Sequence, residues 1–312
     1  MNYDVLTVGN AIVDAILEIG ENSPYVHLNK SEKELRIVSG QKIPVQSSSI
    51  FPGGNASNVA VGLARAGVKT ALLASLAQDE FADHIRNTLS KEGVGLEYIV
   101  NSKGSTVLNV AINFQGDRTL FTHHAEQRHD FHLEKVQAKA LYLTSLGNEW
   151  KHVYKMVAQY VQRVNTLLAF NPGSAQLSAG LNSFAFILPL TAILFVNKEE
   201  AEIIAGEKGT VHHLLPLLQA KGPKIVSVTC GEMGAYIIDE RGSIYQKAAI
   251  ACPVVERTGA GDAYASGFLA AYLHGSDIEQ CMLWGLHNSA SVIGQSGAQT
   301  GLLTKTELEQ RL

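Results

Sequence analysis

Two hydrophobic periods alternate along the chain. Short apolar runs rich in β-branched residues read as buried strands, and longer stretches with apolar positions three and four apart read as helices. Asp4–Val8 and Ala11–Leu17 are strands broken at Gly9-Asn10. Ala56–Ala66 reads as a helix, because Val59, Ala60, Leu63 and Ala64 share a face and Gly67 takes the position after its end. Val68–Leu76 reads as one buried strand, after which Asp79 caps a helix ending at Gly93. Thr106–Phe114 and Arg118–His123 predict a hairpin around Gln115-Gly116-Asp117.

From residue 140 the alternation becomes regular. Strands at Ala140–Thr144, Thr166–Phe170, Ala192–Val196 and Lys224–Thr229 alternate with helices at Trp150–Gln162, within 174–188, at Lys198–Ala205 and at Val211–Ala220. Two long helices follow, Ala260–His274 and Asp277–Ile293, and Thr304 with Glu307 opens a last short one as a capping box. This order predicts an α/β fold: a central, mostly parallel sheet with helices on both faces. Residues 20–52 break the pattern and read as loop with edge strands at Leu35–Val38 and Lys42–Val45. The extended stretches 10–50 and 97–125 are expected to form together a small inserted β-lid on one domain spanning 1–312.

Composition narrows the function. At 46% hydrophobic and 17% charged residues, the 312-residue chain is not a disordered one. A net charge of −4 argues against a nucleic-acid-coating protein. Cys230, Cys252 and Cys281 make no CxxC pair and no disulfide framework, which points to a reducing compartment. The first residues carry Asp4 and Asp14 and no basic start, so they do not read as a signal peptide. No uncharged apolar run reaches the ~18–20 residues that span a bilayer. A cytoplasmic protein with no membrane partner is the expectation.

Four segments can carry chemistry. In Arg257-Thr258-Gly259-Ala260-Gly261-Asp262, small residues lead into an apolar helix and leave backbone N–H groups free, which with the helix dipole make an anion site. Asp262 in its first turn suits the deprotonation of a hydroxyl attacking phosphorus, or simply complements the helix N-terminus. In Phe51–Asn58, glycines again open a helix, and Asn55 and Asn58 offer donors and acceptors to a polyol, or merely a cap. Asn197 follows a strand as a natural N-cap, and Glu200 one turn on can hold a water on Mg2+. Thr229-Cys230-Gly231-Glu232-Met233-Gly234 permits either a plain hairpin turn or close approach to a nucleotide.

Together, in order and spacing, these segments resemble the PfkB family of carbohydrate kinases, which has the ribokinase-like fold. The resemblance covers essentially the whole chain. It implies that Asp262 is the catalytic base and that the amides of Gly259, Ala260 and Gly261 form the anion hole. It implies that Asp14, Gly54, Asn55 and Asn58 hold sugar hydroxyls, with Asn109 and Asn113 facing the substrate from the lid. It assigns Asn197, Thr229, Gly231 and Gly234 to the nucleotide ATP, and Glu200 to Mg2+ through water. Asn288 is the nearest match to a residue beside the adenine, with His287 next to it. The signature begins Glu256-Arg257-Thr258 where the family has Asp-Thr-Thr or similar. That Asp helps hold a monovalent cation behind the anion hole in ribokinase-type members. Glu256 keeps an oxygen ligand for the cation, while Arg257 would bring a fixed positive charge.

Other patterns fail on context. Gly62–Thr70 misses a P-loop by one residue, because Val68 intervenes, and Gly62 lies inside an apolar helix rather than in a loop. No GxGxxG follows a strand, and no GxSxG is present. His123, His124, His129 and His132 cluster in sequence without a nearby cysteine, so zinc is not expected. The expected activity is ATP-dependent phosphorylation of a primary hydroxyl of a sugar. The rival is a nucleoside kinase acting on a ribose 5′-hydroxyl, and a non-catalytic sugar or nucleotide sensor ranks third. The apolar residues of the lid hairpin give the option of a homodimer through the lid.

Overall fold

The computed structural model describes residues 2–32, 34–122 and 129–311. His123, His124 and the end of the second extended stretch lie outside the described residues.

Eight strands make the central sheet: β1 (Tyr3–Val8), β6 (Thr70–Leu73), β11 (Ala138–Leu143), β12 (Leu167–Phe170), β13 (Ile193–Asn197), β14 (Ile225–Thr229), β15 (Ala235–Ile238) and β16 (Ile244–Lys247). Their spatial order is β16-β15-β14-β13-β12-β11-β1-β6. The six from β14 to β6 are parallel. β15 returns antiparallel to β14 through a hairpin turn at 229–234, one of the two readings of that segment, and the pairing of β16 beyond it was not expected. The parallel strands are apolar on both sides because helices cover both faces. Helices α1 (Asn55–Arg65), α7 (Ala260–Leu273) and α8 (Ile278–Ile293) pack on one face over Val5, Tyr142, Ala169 and Phe195. Helices α3 (Trp150–Val164), α5 (Lys198–Ala205) and α6 (Val211–Gln219) pack on the other over Leu6, Leu141, Phe170 and Val226.

A second, four-stranded sheet has the order β10-β9-β2-β5, from β2 (Ile12–Glu18), β5 (Ser47–Gly53), β9 (Leu108–Phe114) and β10 (Asp117–Thr122). The register pairs Asp14 with Asn109 and with Phe51, and Asn113 with Arg118. The two-residue period therefore puts all five on one face and Val13, Val110, Ile50 and Phe121 on the other. A hairpin, β3 (Val26–Asn29) with β4 (Glu34–Ile37), buries Val26 against Ile19 and Phe114 at one end of that second face.

Several boundaries differ from expectation for local reasons. Lys42–Val45 is not a strand. Pro44 lacks a ladder donor there, and Ile43 packs into the Val26 cluster instead. The strand is Ser47–Gly53, which three serines disguise. It sits at the sheet edge, where Pro52 is tolerated, and is held by backbone pairing to β2. Val68–Leu76 splits into β6 and β7 (Ser75–Leu76), which leaves the main sheet to pair with β8 (Val100–Asn101). The stretch 174–188 contains α4 (Ser174–Ser178), then 3-10 turns past Gly180, with Pro189 in the last. Asp79 caps α2 (Glu80–Lys91) by accepting from Ala82 N, and Thr304 with Glu307 forms the capping box of α9 (Lys305–Glu309). Among the described residues, no helix is long and apolar enough to cross a membrane.

Candidate active site

The start of α7 faces the C-terminal ends of the parallel strands, where open α/β sheets bind ligands. Gly259 opens that helix at φ +77°, and a Cβ there would lie 2.5 Å from Ala298. The amide of Ala260 makes only a long 3.4 Å contact, to Arg257 O. The carboxylate of Asp262 accepts one bond on each oxygen, from Asn55 Nδ2 at 3.0 Å and Asn58 Nδ2 at 2.9 Å. Each amide is oriented in turn: Ser145 Oγ donates to Asn55 Oδ1 at 2.8 Å, and Gln299 Nε2 to Asn58 Oδ1 at 3.0 Å. Burial pushes the pKa of Asp262 up to about 6, and nearby Glu200 and Asp14 add to the rise. The two amide bonds oppose it without cancelling it. A carboxylate tuned that close to neutrality remains ionised at pH 7 and is a better base than a solvated one.

The lid supplies a polar pair opposite. Asn109 Nδ2 donates to Asp14 Oδ1 at 2.9 Å, and burial raises the Asp14 pKa. Asn113 lies farther along the same strand, about 13 Å from Asn109 at ~3.3 Å per residue, and donates to Glu18 at 2.6 Å. Gly54, at φ +94°, brings the start of α1 against the end of β1, where a Cβ would lie 2.5 Å from Asn10 O.

A small cavity of about 140 Å³ contains Asn55, Asn171, Asn197, Glu200, Thr229 and Asp262 in its wall. The capping box is real: Asn197 Oδ1 accepts from Glu200 N and Glu200 Oε2 accepts from Asn197 N, each at 2.9 Å. It engages only one carboxylate oxygen of Glu200, whose pKa burial raises. The donors here are oxygens, as Mg2+ prefers. Among the described residues no group of three His, Cys, Asp or Glu side chains is placed to hold a metal, and Glu200 alone would leave most of a magnesium shell to water and phosphate oxygens. A larger cavity of about 520 Å³ adjoins it, sharing Thr229, Gly261 and Tyr264. Gly231 and Gly234 line it, and its far wall is apolar, with Ile250, Val254, Leu286 and Ile293.

Two expected assignments are corrected. Asn288 is outside this cavity. Its Nδ2 donates to Ala263 O and Ser266 Oγ, and its Oδ1 accepts from Leu303 N, so the side chain is fully used between helices. The helical turn sends Leu286, Ser289 and Ala290 to the cavity instead, and His287 does not line it. Glu256 does not offer a free ligand to a monovalent cation. One oxygen accepts from Arg118 and the other from Gly297 N at 3.0 Å. Arg257, expected to bring charge, is exposed and lies 3.4 Å from Glu232.

The remaining histidines do not gather. His129 is buried with Nδ1 at 2.9 Å from Ser75 Oγ, and His132 is exposed beside Glu134. Sequence reasoning missed four residues: Arg118, Ser145, Asn171 and Gln299. Ser145 and Asn171 lie just past strands of the parallel sheet, a position that could have flagged them. The other two carry no local signal.

A desolvated carboxylate at a helix start, two adjoining cavities and a polar sheet face opposite make a site arranged for a small molecule. Residues 19–305 match the model of the pfkB family of carbohydrate kinases, and the chain belongs to that family. It is 27% identical over 254 residues to an uncharacterized sugar kinase of Archaeoglobus fulgidus, covering 78% of this chain and 98% of that one. It is 22% identical to a nucleoside kinase of Methanothermobacter thermautotrophicus, covering 99% and 95%. Its fold is similar to that of Arabidopsis thaliana ribokinase, solved with ribose and ATP, at TM-score 0.82 and 21% identity, covering 100% and 99%.

Proposed function

We propose that this enzyme transfers the γ-phosphoryl group of ATP to a primary hydroxyl of a sugar, with Asp262 as general base. The observation that carries this reading is the buried, doubly clamped carboxylate between the Asp14–Asn109 pair and the cavity holding Glu200. Asp14 and Asn109 hold acceptor hydroxyls and orient the reacting one. Asp262 takes its proton as the oxygen attacks the γ-phosphorus. The new O–P bond forms, the bond to the β,γ-bridging oxygen breaks, and ADP leaves. The amides of Gly259, Ala260 and Gly261 meet the charge on the transferring group. Asn55 and Asn58 already spend their amides on Asp262, so they fix the base, and Gly54 frames the pocket with backbone. Thr229, Gly231 and Gly234 border the nucleotide, and Asn197 holds Glu200. Glu200 is the residue that would hold Mg2+, which when bound would neutralise charge on the phosphates. A general base contributes ~10²–10⁴ in rate, and positioning the rest. This chemistry fits a cytoplasmic enzyme, where ATP is abundant.

A nucleoside acceptor is the second reading. One observation favours it: the β3–β4 hairpin, part of a 20–52 segment that resembles adenosine-kinase-like members, covers an end of the second sheet within the chain. Thermal shift with ribose, fructose, adenosine and other nucleosides separates the two, followed by transfer assays on each binder. A ligand at 100 times its Kd adds ~2.7 kcal/mol of stability. Stabilisation and turnover with a free sugar support the first reading, and with nucleosides alone they reject it.

A further inference from the structure

Arg118 stands on β10 opposite Asn113, on the face of the lid that looks into the site. Its Nη1 donates to both Glu256 and Thr258. Glu256 is 8% exposed, and its second oxygen accepts from Gly297 N at 3.0 Å. One carboxylate thus ties together three segments: the lid strand, the turn that becomes the anion hole, and the loop 297–299. That loop supports the site twice. Ala298 packs behind Gly259, where an added Cβ would lie 2.5 Å away. Gln299 orients Asn58, which clamps Asp262. A second lid residue, Phe51, lies over Gly297, where an added Cβ would meet its ring at 2.7 Å.

A buried carboxylate needs a counter-charge. In ribokinase-type members the first residue of this signature helps hold a monovalent cation. Here the oxygen ligand is retained, but a guanidinium from the lid is bonded to it. We propose that Arg118 is the built-in cation of this site, making the enzyme independent of potassium and completing the anion hole only when the lid is down. The proposal rests on the phosphotransferase reading for its kinetic consequences, but not for its cation chemistry. Arg118 is a positioning residue: it acts through Glu256, Thr258 and the loop 297–299. If the lid lifts, Glu256 loses its cationic partner and keeps only the Gly297 amide, which would make closure and organisation of the anion site one event. Lid closure would then raise kcat rather than only substrate affinity.

The test needs no substrate at first. Melting of the wild type and of Arg118→Ala is compared in potassium, sodium and tetramethylammonium chloride at matched ionic strength. The wild type should melt identically in all three. Arg118→Ala should melt lower in tetramethylammonium and recover specifically with potassium or guanidinium. Potassium-specific stabilisation of the wild type, or an Arg118→Ala protein that responds to neither ion, overturns the proposal. If Arg118→Ala does not fold, the wild-type comparison still decides, and Arg118→Lys, which keeps a charge, should remain cation-independent. On a verified acceptor, Arg118→Ala should lose about 10–100-fold in activity, by analogy with the outer-shell partners of metal ligands. The loss should fall mainly on kcat and be partly restored by potassium or guanidinium. A loss confined to acceptor KM would reject the coupling to the anion hole. Absence of any acceptor would count against the phosphotransferase reading and leave the melting result standing.

Discussion

Asn58 donates to Asp262 at 2.9 Å across 204 residues of sequence, joining the first turn of α1 to the first turn of α7. The bond lies where both helices start, so side-chain amides from α1 hold the carboxylate that opens α7. Asn55, three residues earlier at the start of the same helix, completes the clamp. Asp262 thereby has a fixed orientation before any acceptor arrives, and its burial supplies the basicity.

Removing the carboxylate should remove the chemistry and little else. Asp262→Ala should bind ATP as the wild type does, measured by calorimetry, while kcat falls ~10²–10⁴ on a verified acceptor. The alanine variant is preferable to asparagine, because a side-chain amide at 262 would point its NH2 at one of two amide donors. Retention of more than about a tenth of turnover, well above the roughly one hundredth that the weakest general base would leave, would reject the assignment.

The pH profile follows from the same environment. The acid limb of kcat/KM should bend near pH 6, because Asp262 must be ionised to accept the proton and its pKa is raised to about 6. The stability effect has the opposite direction. A folded pKa raised above the ordinary 3.8 gives stability that is present below 3.8 and lost as pH rises through about 6. Asp262→Ala should therefore gain on the wild type in melting temperature across that window, and a constant difference would refute the shift. Asn58→Asp should move the acid limb to higher pH, since a second carboxylate replaces a donor. An unmoved limb would show that Asn58 does not tune the base.

Glu200→Gln isolates the metal side. The capping box puts one Glu200 oxygen on Asn197 N, and glutamine can keep that acceptor, so α5 should survive. The charge that would hold a magnesium water shell is lost. The Mg2+ concentration for half-maximal rate should rise more than the acceptor KM, as read from Mg2+ titrations at several acceptor levels. A change confined to acceptor KM would place Glu200 with the substrate.

What could be read from sequence divides by distance along the chain. The turn Gly259–Asp262 and the Asn197–Glu200 cap are local, so residue type and spacing define them. The parallel sheet was legible because its strands are apolar on both faces. Edge strand β5 was not, because Ser47–Ser49 show no apolar alternation and backbone pairing alone holds them. Arg118 meets Glu256 across 138 residues, and Gln299 meets Asn58 across 241, so neither leaves a local trace. Asn288 misled for the same reason. Its neighbours line the nucleotide cavity, while its own direction is set by α7 and by Leu303.

The outer face of the lid bears on assembly. The β3–β4 hairpin covers the Ile112–Phe114 end of that face. Toward its other side, Ile50 and Phe121 are each 52% exposed, and Phe81, Val110 and Phe121 border an open cavity. Sheets normally bury such a face or give it charge. A second copy of the chain, laid lid to lid, would bury these residues by two-fold symmetry, each patch meeting its equivalent. Light scattering on a size-exclusion peak at micromolar concentration should therefore give twice the 33.6 kDa chain mass. Phe121→Lys should halve it without touching the Asp14–Asn109 pair, which lies on the opposite face. A wild-type mass of one chain, unchanged by acceptor, would reject the dimer. It would also strengthen the nucleoside reading, since the hairpin would then be the lid's own cover.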